Sequence, residues 1–485
     1  MDMGKTFLRV VALMALSVVA AWGQQTETAS NPPAAPMSSG QAGEGSQVPT
    51  SEETPQGGQA LVTMAPLSGA KELNPFNQRE ASYFLPAFQW HGFGDSNELS
   101  EPGQSRLQYL SMYLGSFQLQ RTKKRSDLNL NYTGALLLST QRLPPVGDTR
   151  PASNGFIHQL GFSDTVNWRR WKLLFDDDFL YLPSSPMGFS GISGVGVGGG
   201  LAGDIVSSTT GLNPALSPSQ SILTGYARRV SNAAVGEAEY SATSRSTLTA
   251  SVVYGNLQFL DPGYINHTYM SVIAGYNHLL TPHNQVGVSY TDTELKFSGY
   301  NQDILNRGVD FMFGHQITGR LSLTLTGGPI LTQIAQPLGG TITRSFFNTF
   351  DSLKYSSPKT DLEVDFLRHL TGGSGVLLGS EGDIGRLLIG RALPHKFHIS
   401  VNLDDNYNQS LTQVSVLARR TKYELWQGGI NLRRKLGRRW DLFLMYNGFL
   451  QKSNIPTCIG GVCGDLTRRQ IGSIGLSWEG RMIPL

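Results

Sequence analysis

The sequence is poor in charge, in cysteine and in long apolar runs. Asp, Glu, Lys and Arg make up 15% of its 485 residues, whereas soluble proteins carry roughly 25%. The net charge is +3 and no long Lys/Arg run stands out, which argues against a nucleic-acid partner. After residue 23, no stretch offers the roughly 20 apolar residues that a transmembrane helix requires.

Cysteine is present at two positions, Cys458 and Cys463, in the stretch IPTCIGGVCGD. In an oxidising compartment these two residues would form a disulfide across a small Gly-containing loop, and the alternative is a pair of free thiols. The stretch lacks further metal ligands. We therefore predict neither a metal site nor a cofactor.

The first residues, MDMGKTFLRVVALMALSVVAAWG, place Lys5 and Arg9 before an apolar segment. This order predicts a secretory signal peptide over residues 1–23. Residues 24–80 are rich in Pro, Ser, Gly and Gln and bury too little apolar surface to fold, so they are expected to form a disordered leader. Residues 81–485 remain for the folded domain.

A short motif recurs in the folded part: a Thr, then Arg or His two positions later, then apolar residues at alternate positions. The copies are YSATSRSTLTASVV (240–253), YNHLLTPHNQVGVS (276–289) and FGHQITGRLSLTLT (313–326). His283 in one copy is replaced by Arg245 and Arg320 in the others. Since Arg is not a metal ligand, the motif is interpreted as a turn that reveals a repeat.

The segments beside these turns alternate with period two. Val286, Val288 and Tyr290 alternate with small or polar residues, which is typical of a strand with two different faces. Such segments run to about 10–14 residues, longer than the usual ~5–6 of soluble strands and long enough for the roughly 9–11 residues of a membrane-crossing strand.

Short turns alternate with long connections along the chain. TKKR (122–125), PH (282–283) and GGS (372–374) are interpreted as short turns, whereas RLPPVGDTRPASNG (142–155) and the loop with the two cysteines are long. In this respect residues 80–485 resemble the porin-like outer-membrane β-barrels of Gram-negative bacteria, although no family motif is present. A β-propeller is the competing architecture, but its blades need four short strands each.

The resemblance implies an all-β fold: a transmembrane antiparallel barrel of 16–18 strands with short periplasmic turns and longer external loops. It also implies the outer membrane as location, with outer-membrane lipids and the barrel-assembly machinery as partners. SYFLPAFQWHGF (82–93) is the candidate first strand despite Pro86.

Charged residues on the small-residue faces of strands are predicted to face a water-filled lumen. The lumen-facing candidates are Asp176, Asp178, Glu363, Asp365, Asn402 and Asp404, with Asp164, and Arg307 and Arg368 as balancing charges. The alternative is that these side chains are simply solvated and have no role in selection.

The Pro/Gly/Ser-rich segment 183–221 is predicted to be a long loop, either external or folded into the lumen as a constriction. Its GVGVGG stretch (194–199) is not followed by a helical pattern, so nucleotide binding is not predicted.

These features favour a channel for passive diffusion of small hydrophilic solutes. One alternative is a structural or interaction barrel for surface-polysaccharide export or adhesion, and another is a hydrolase with a site at the rim. No motif selects a catalytic residue, so the chain is predicted not to be an enzyme. The oligomeric state is not predicted.

Overall fold

The strands of this protein form a closed ring. The computed structural model describes residues 82–96, 108–139, 155–182, 228–300, 302–335, 340–375, 377–411, 421–454 and 466–485, which all lie in one unit, Thr54–Leu485. Each strand pairs antiparallel with the next, and β18 pairs with β1, for example through Leu476 and Trp90. The predicted all-β barrel is confirmed, with 18 strands in the ring.

The strands are β1 (Tyr83–Asp95), β2 (Gln108–Thr122), β3 (Ser126–Ser139), β4 (Gly155–Trp168), β5 (Trp171–Leu182), β6 (Arg229–Ser241), β7 (Ser246–Phe259), β8 (His267–Thr281), β9 (Asn284–Phe297), β10 (Asp303–Thr318), β11 (Leu321–Ala335), β12 (Thr341–Ser356), β13 (Thr360–Thr371), β14 (Ser380–Leu393), β15 (Phe397–Ser410), β16 (Lys422–Lys435), β17 (Trp440–Ser453), β18 (Leu466–Glu479) and β19 (Ile483–Pro484). Two short 3-10 turns lie at Gly373–Gly375 and Pro394–Lys396. The two-residue β19 lies outside the ring and pairs with the start of β1.

Buried and exposed side chains alternate along the strands, because successive residues of a strand point to opposite faces. The exposed face carries large apolar side chains such as Phe156, Phe311 and Leu444. This is the outer face of the ring, and its composition suits contact with lipid. Within the described ranges, no helix is long and apolar enough to cross a bilayer.

The first strand forms as predicted in spite of Pro86. Proline has no N–H to donate, so it is tolerated at a strand position where no neighbouring strand requires a hydrogen bond from that residue. The ladder between β1 and β18 begins at Ala87, one residue later, and the carbonyl oxygen of Pro86 accepts a hydrogen bond from the Gly480 N–H at 2.7 Å.

The recurring Thr motif forms the turns at one end of the barrel. The Oγ1 atoms of three threonines accept a hydrogen bond from the backbone N–H two residues later. The donors are Arg245 to Thr243 at 3.1 Å, His283 to Thr281 at 3.3 Å and Arg320 to Thr318 at 3.2 Å. Because the donor is a backbone group, the residue at that position can be His or Arg, as the turn interpretation requires.

The other histidines of this motif lie on the outer face, near the same end. His278 stacks on Tyr276 and His315 on Phe313, each with 6.3 Å between ring centroids. Amphipathic rings of this kind form the aromatic girdles at the membrane interfaces of barrels. These histidines are thus interfacial residues of the barrel wall.

The prediction that GGS (372–374) is a short periplasmic turn is wrong. The short joints of this part of the ring are at 357–359 and 394–396, which places residues 372–379 at the opposite end, with the long loops. Gly373, Gly375 and Gly379 all have positive φ angles, a conformation that favours glycine. These glycines shape a longer loop, although the sequence pattern is also compatible with a tight turn.

The seam between the first and last ring strands holds a buried ion pair. Asp95 at the end of β1 accepts hydrogen bonds from Arg469 of β18, at 3.1 Å from Nε and 2.6 Å from Nη2. Both side chains are fully buried. A charge in such a place depends on its partner, because an unpaired buried ion is strongly unfavourable.

We expect Arg469→Met to lower the free energy of unfolding by about 3–5 kcal/mol, since it leaves the Asp95 carboxylate without its guanidinium. Urea unfolding of the folded barrel, followed by tryptophan fluorescence, measures this. The control is Lys172→Met, which removes a partly exposed pair with Glu239 at 3.7 Å and should cost less than about 1 kcal/mol. Equal losses in the two variants would contradict the role of the seam pair.

The turn motif gives a second expectation. Thr318 Oγ1 accepts from both Arg320 N–H at 3.2 Å and Leu321 N–H at 3.1 Å. Thr318→Val removes that acceptor and should cost about 0.5–1.5 kcal/mol, whereas Thr318→Ser keeps the hydroxyl and should remain near wild type. Urea midpoints of the two variants test this, and a valine variant as stable as the serine variant would refute it.

Candidate functional site

The inner face of the barrel carries a row of charges that we call the ionic ladder: Lys354, Glu363, Asp365, Arg386 and Asp404. The row crosses four neighbouring strands, β12 to β15. Lys354 Nζ lies 2.8 Å from Glu363 Oε1, and Arg386 Nε lies 2.8 Å from Asp404 Oδ1. Asp365 is the direct cross-strand neighbour of Arg386. The ladder is therefore a set of alternating charges on one wall.

Amide and further ionic groups extend this wall. Asn402 Nδ2 donates to Asp404 Oδ2 at 3.1 Å, and on the next strands Arg433 pairs with Asp441. These contacts hold the carboxylates in place without neutralising all of them. Polar side chains thus line β12 to β17 on the inner side.

A second group of charges, which we call the acidic wall, comprises Asp176 and Asp178 on β5 with Glu237 and Glu239 on β6. Cross-strand pairing places Lys172 opposite Glu239, with 3.7 Å between Nζ and Oε1. Asp178 is buried. The carboxylates of this wall thus outnumber its basic groups.

All six predicted lumen-facing residues lie on the inner face. Glu363, Asp365, Asn402 and Asp178 belong to its buried set, and Asp404 and Asp176 share their faces by strand parity. The ladder contains three of the six residues, Asn402 donates a hydrogen bond to its Asp404, and the acidic wall holds the other two. Their role in solute passage is taken up below as a proposal.

The other charges predicted for the lumen face outward. Asp164 pairs across strands with Leu128 and Phe175 and accepts a hydrogen bond from Ser126 at 2.9 Å. Arg307 and Arg368 share the outer face, where they meet Asp292 at 3.4 Å and Asp383 at 2.6 Å. These positions lie towards strand ends, where a charge on the outer face costs little because it reaches the interface.

The inner face is not polar throughout, which the sequence analysis did not predict. Three clusters of buried apolar side chains line its other end, near the long loops, and we call them the external apolar layer. The clusters include Phe93, Leu110, Met112, Leu137, Leu425 and Phe449; Leu295, Phe297, Ile304 and Leu411; and Leu257 and Phe259. A signal existed in YLSMYL (109–114), where both faces are apolar at once.

Residues 372–375 and 377–379 between β13 and β14, here named the crossing loop, reach over this layer. The Gly375 carbonyl oxygen accepts a hydrogen bond from the Ile265 N–H at 2.9 Å. The Leu378 carbonyl oxygen accepts from Gln302 Nε2 at 3.4 Å. Ile265 precedes β8 and Gln302 precedes β10, so the loop passes from β13 and β14 to strands several places away in the ring.

Glycines let the crossing loop lie against the apolar layer. At Gly375, a Cβ would collide with the ring of Phe259, and at Gly379 it would meet Ile304. Both glycines also have positive φ, at 78° and 74°. The close approach and the backbone conformation therefore both require glycine at these positions.

The segment that receives the crossing loop is itself fixed. Arg228 Nη2 lies 2.7 Å from Asp261 Oδ1, and Tyr264 stacks on Phe259 with 5.0 Å between ring centroids. Burial, with the nearby Asp261 carboxylate, raises the pKa of Tyr264 to about 12. The Arg228–Asp261 ion pair and the stacked rings thus hold the segment before β8 in place.

Several predicted features lie outside the described residues: the signal peptide and leader, the segment 183–221 with GVGVGG, and the pair Cys458 and Cys463. Among the residues that the structure does describe, no group of three or more His, Cys, Asp or Glu side chains is arranged to hold a metal ion.

No protein-family profile and no curated protein matches the chain. Several solved barrels resemble it in structure. The outer membrane protein opdK from Pseudomonas aeruginosa has 8% identity and a TM-score of 0.41, over 82% of this chain and 99% of that one. OccK2 (OpdF) from the same organism, solved with glucuronate, has 10% identity and a TM-score of 0.41, over 83% and 98%. A BenF-like porin from Pseudomonas fluorescens Pf-5 has 8% identity and a TM-score of 0.41, over 82% of this chain and 98% of that one.

The fold is a closed ring of 18 antiparallel strands with a two-zone inner face. At these identities and TM-scores the likeness carries no function over to this chain, and the function has to be argued from its own inner face.

The crossing loop yields a testable expectation. Gly375→Ala should displace the loop, because its Cβ has no room against Phe259, and the Ile265 amide should then exchange its hydrogen faster. Gly340→Ala is the matched control: its φ of 89° strains the backbone similarly, yet nothing lies within 4 Å of the added Cβ and the site is distant from Ile265 in sequence. Hydrogen exchange read by mass spectrometry separates the two. Equal protection of Ile265 in both variants would contradict the packing.

Proposed function

We propose that this protein is an outer-membrane channel through which small hydrophilic solutes diffuse. The observation that carries the proposal is the charged part of the inner face. The ionic ladder and the acidic wall present carboxylates towards the interior of a closed barrel, and an ion facing inward requires water or a partner. A water-filled passage satisfies that requirement.

The lipid-facing surface supports the proposed location. Large apolar side chains occupy the outer positions of most strands, and aromatic rings with His278 and His315 lie near the short turns. The short turns are assigned to the periplasmic side and the long loops to the external side, as is usual for such barrels. Outer-membrane lipids, and the barrel-assembly machinery during insertion, are the partners in this proposal.

The apolar and charged zones of the inner face have different roles in the proposed passage. The external apolar layer and the crossing loop narrow the entrance, and a hydrophobic constriction opposes the flow of water and ions. The charged zone below it offers polar contacts to a solute that has passed. A modest conductance is therefore expected rather than that of a wide open pore.

The test is conductance in planar lipid bilayers. Folded protein should produce discrete current steps, and Phe259→Ala should raise the step size roughly twofold, because it removes an apolar ring from the narrow zone. Tyr254→Ala is the control, since it removes an aromatic ring from the outer face of the same strand. The heat-unfolded preparation should give no steps.

A folded preparation that never conducts would overturn the channel proposal and favour the structural or interaction barrel. If Tyr254→Ala changed the step size as much as Phe259→Ala, the external apolar layer would not be the narrow zone.

A further inference from the structure

The acidic wall and the ionic ladder face each other across the barrel. β5 and β14 lie nine strands apart in a ring of eighteen, which is half of the circumference. A solute in the lumen therefore passes between Asp176 and Asp178 on one side and the ladder on the other.

Both walls have more acidic than basic groups. The ladder has three carboxylates for two bases, and each base has a carboxylate partner at 2.8 Å, Glu363 for Lys354 and Asp404 for Arg386. The acidic wall has four carboxylates, whereas the bases on the same face of β5 and β6 are two, Lys172, whose 3.7 Å contact is with Glu239, and the buried Arg229. The uncompensated charge of these two walls is negative on both sides.

One unfilled hydrogen-bond acceptor lies in the acidic wall, and another lies beside it on β7. Thr249 stands directly across from Glu239 on β7, is 6% exposed, and its Oγ1 has no hydrogen-bond partner among the described residues. Asp176 Oδ1 also lacks a partner within the described part of the barrel. A hydroxyl oxygen and carboxylate oxygens with free lone pairs are suited to N–H donors that carry positive charge.

We propose that the channel selects cations and takes solutes that bear an ammonium or guanidinium group, with the acidic wall as their binding surface. This inference rests on the proposed channel function. Acidic side chains around a pore attract cations and exclude anions, as in other cation channels. The N–H groups of such a solute would bond to the Asp176 carboxylate or, further along the wall beside Glu239, to the Thr249 hydroxyl, while the ladder opposite adds attraction at longer range.

The chain offers a matched control one residue away. Asp177 lies between Asp176 and Asp178 in sequence but on the outer face, where it pairs across strands with Phe162 and accepts a hydrogen bond from Asn232 at 2.9 Å. The substitutions Asp176→Asn with Asp178→Asn, and Asp177→Asn alone, change the same kind of group in the same strand. They differ in the face from which the charge is removed.

The test is the reversal potential of single channels in a KCl gradient, with guanidinium chloride replacing KCl on one side in a second series. We expect K⁺ to be preferred over Cl⁻, guanidinium to permeate or block, and acetate to do neither. Asp176→Asn with Asp178→Asn should lower the cation preference several-fold, whereas Asp177→Asn should leave it unchanged.

The outcomes distinguish the two proposals. Current steps with anion preference, or an equal shift in Asp177→Asn, would overturn cation selection while the channel function stands. Complete absence of current from folded protein would overturn the channel function and this inference with it. Circular dichroism and heat-modifiable mobility confirm that each variant is folded.

Discussion

Closure of the sheet is the constraint on which this architecture depends. In lipid, a backbone N–H or C=O without a partner costs several kcal/mol, and a barrel avoids this because it has no free edge. Here the edge is removed where β18 meets β1, along Ala87 to Asp95. The pair of Asp95 and Arg469 lies at one end of that ladder and ties strands that are 374 residues apart in the chain. Every other feature of the wall presupposes this seam.

In the closed ring, each strand has an outer face towards lipid and an inner face towards the barrel interior. The outer face is apolar along most of its height, whereas the inner face changes from apolar near the long loops to charged further along. Apolar inner residues are ordinary in the core of a soluble protein, but inside a barrel they disfavour the entry of water. The crossing loop lies against that same zone, where glycines at 375 and 379 let its backbone approach the side chains of Phe259 and Ile304.

Strand positions could be predicted well from the sequence because period-two alternation and turn spacing are local signals. The Thr turns at 243, 281 and 318 followed from such signals, whereas the first strand with Pro86 was predicted because an even number of strands requires one more strand there. The destination of residues 372–379 did not, because Gly-Gly-Ser is compatible with a tight turn and its contacts with Ile265 and Phe259 are distant in sequence. Arg307 and Arg368 were misplaced for a related reason: charge predicts an aqueous neighbour, and both the lumen and the membrane interface provide one.

Three consecutive aspartates on β5 show why the face matters more than the residue type. Asp176 and Asp178 point to the inner side, where water and opposing charges are available. Asp177 points outward between Phe175 and Phe179, where a carboxylate is disfavoured, although less than Lys or Arg. Asn232 donates to its Oδ1 at 2.9 Å, and a charge-assisted hydrogen bond of this kind offsets part of the desolvation cost. An aspartate is therefore a candidate solute contact at positions 176 and 178, whereas at position 177 it destabilises the wall locally. The register of β5 determines which face each of the three occupies.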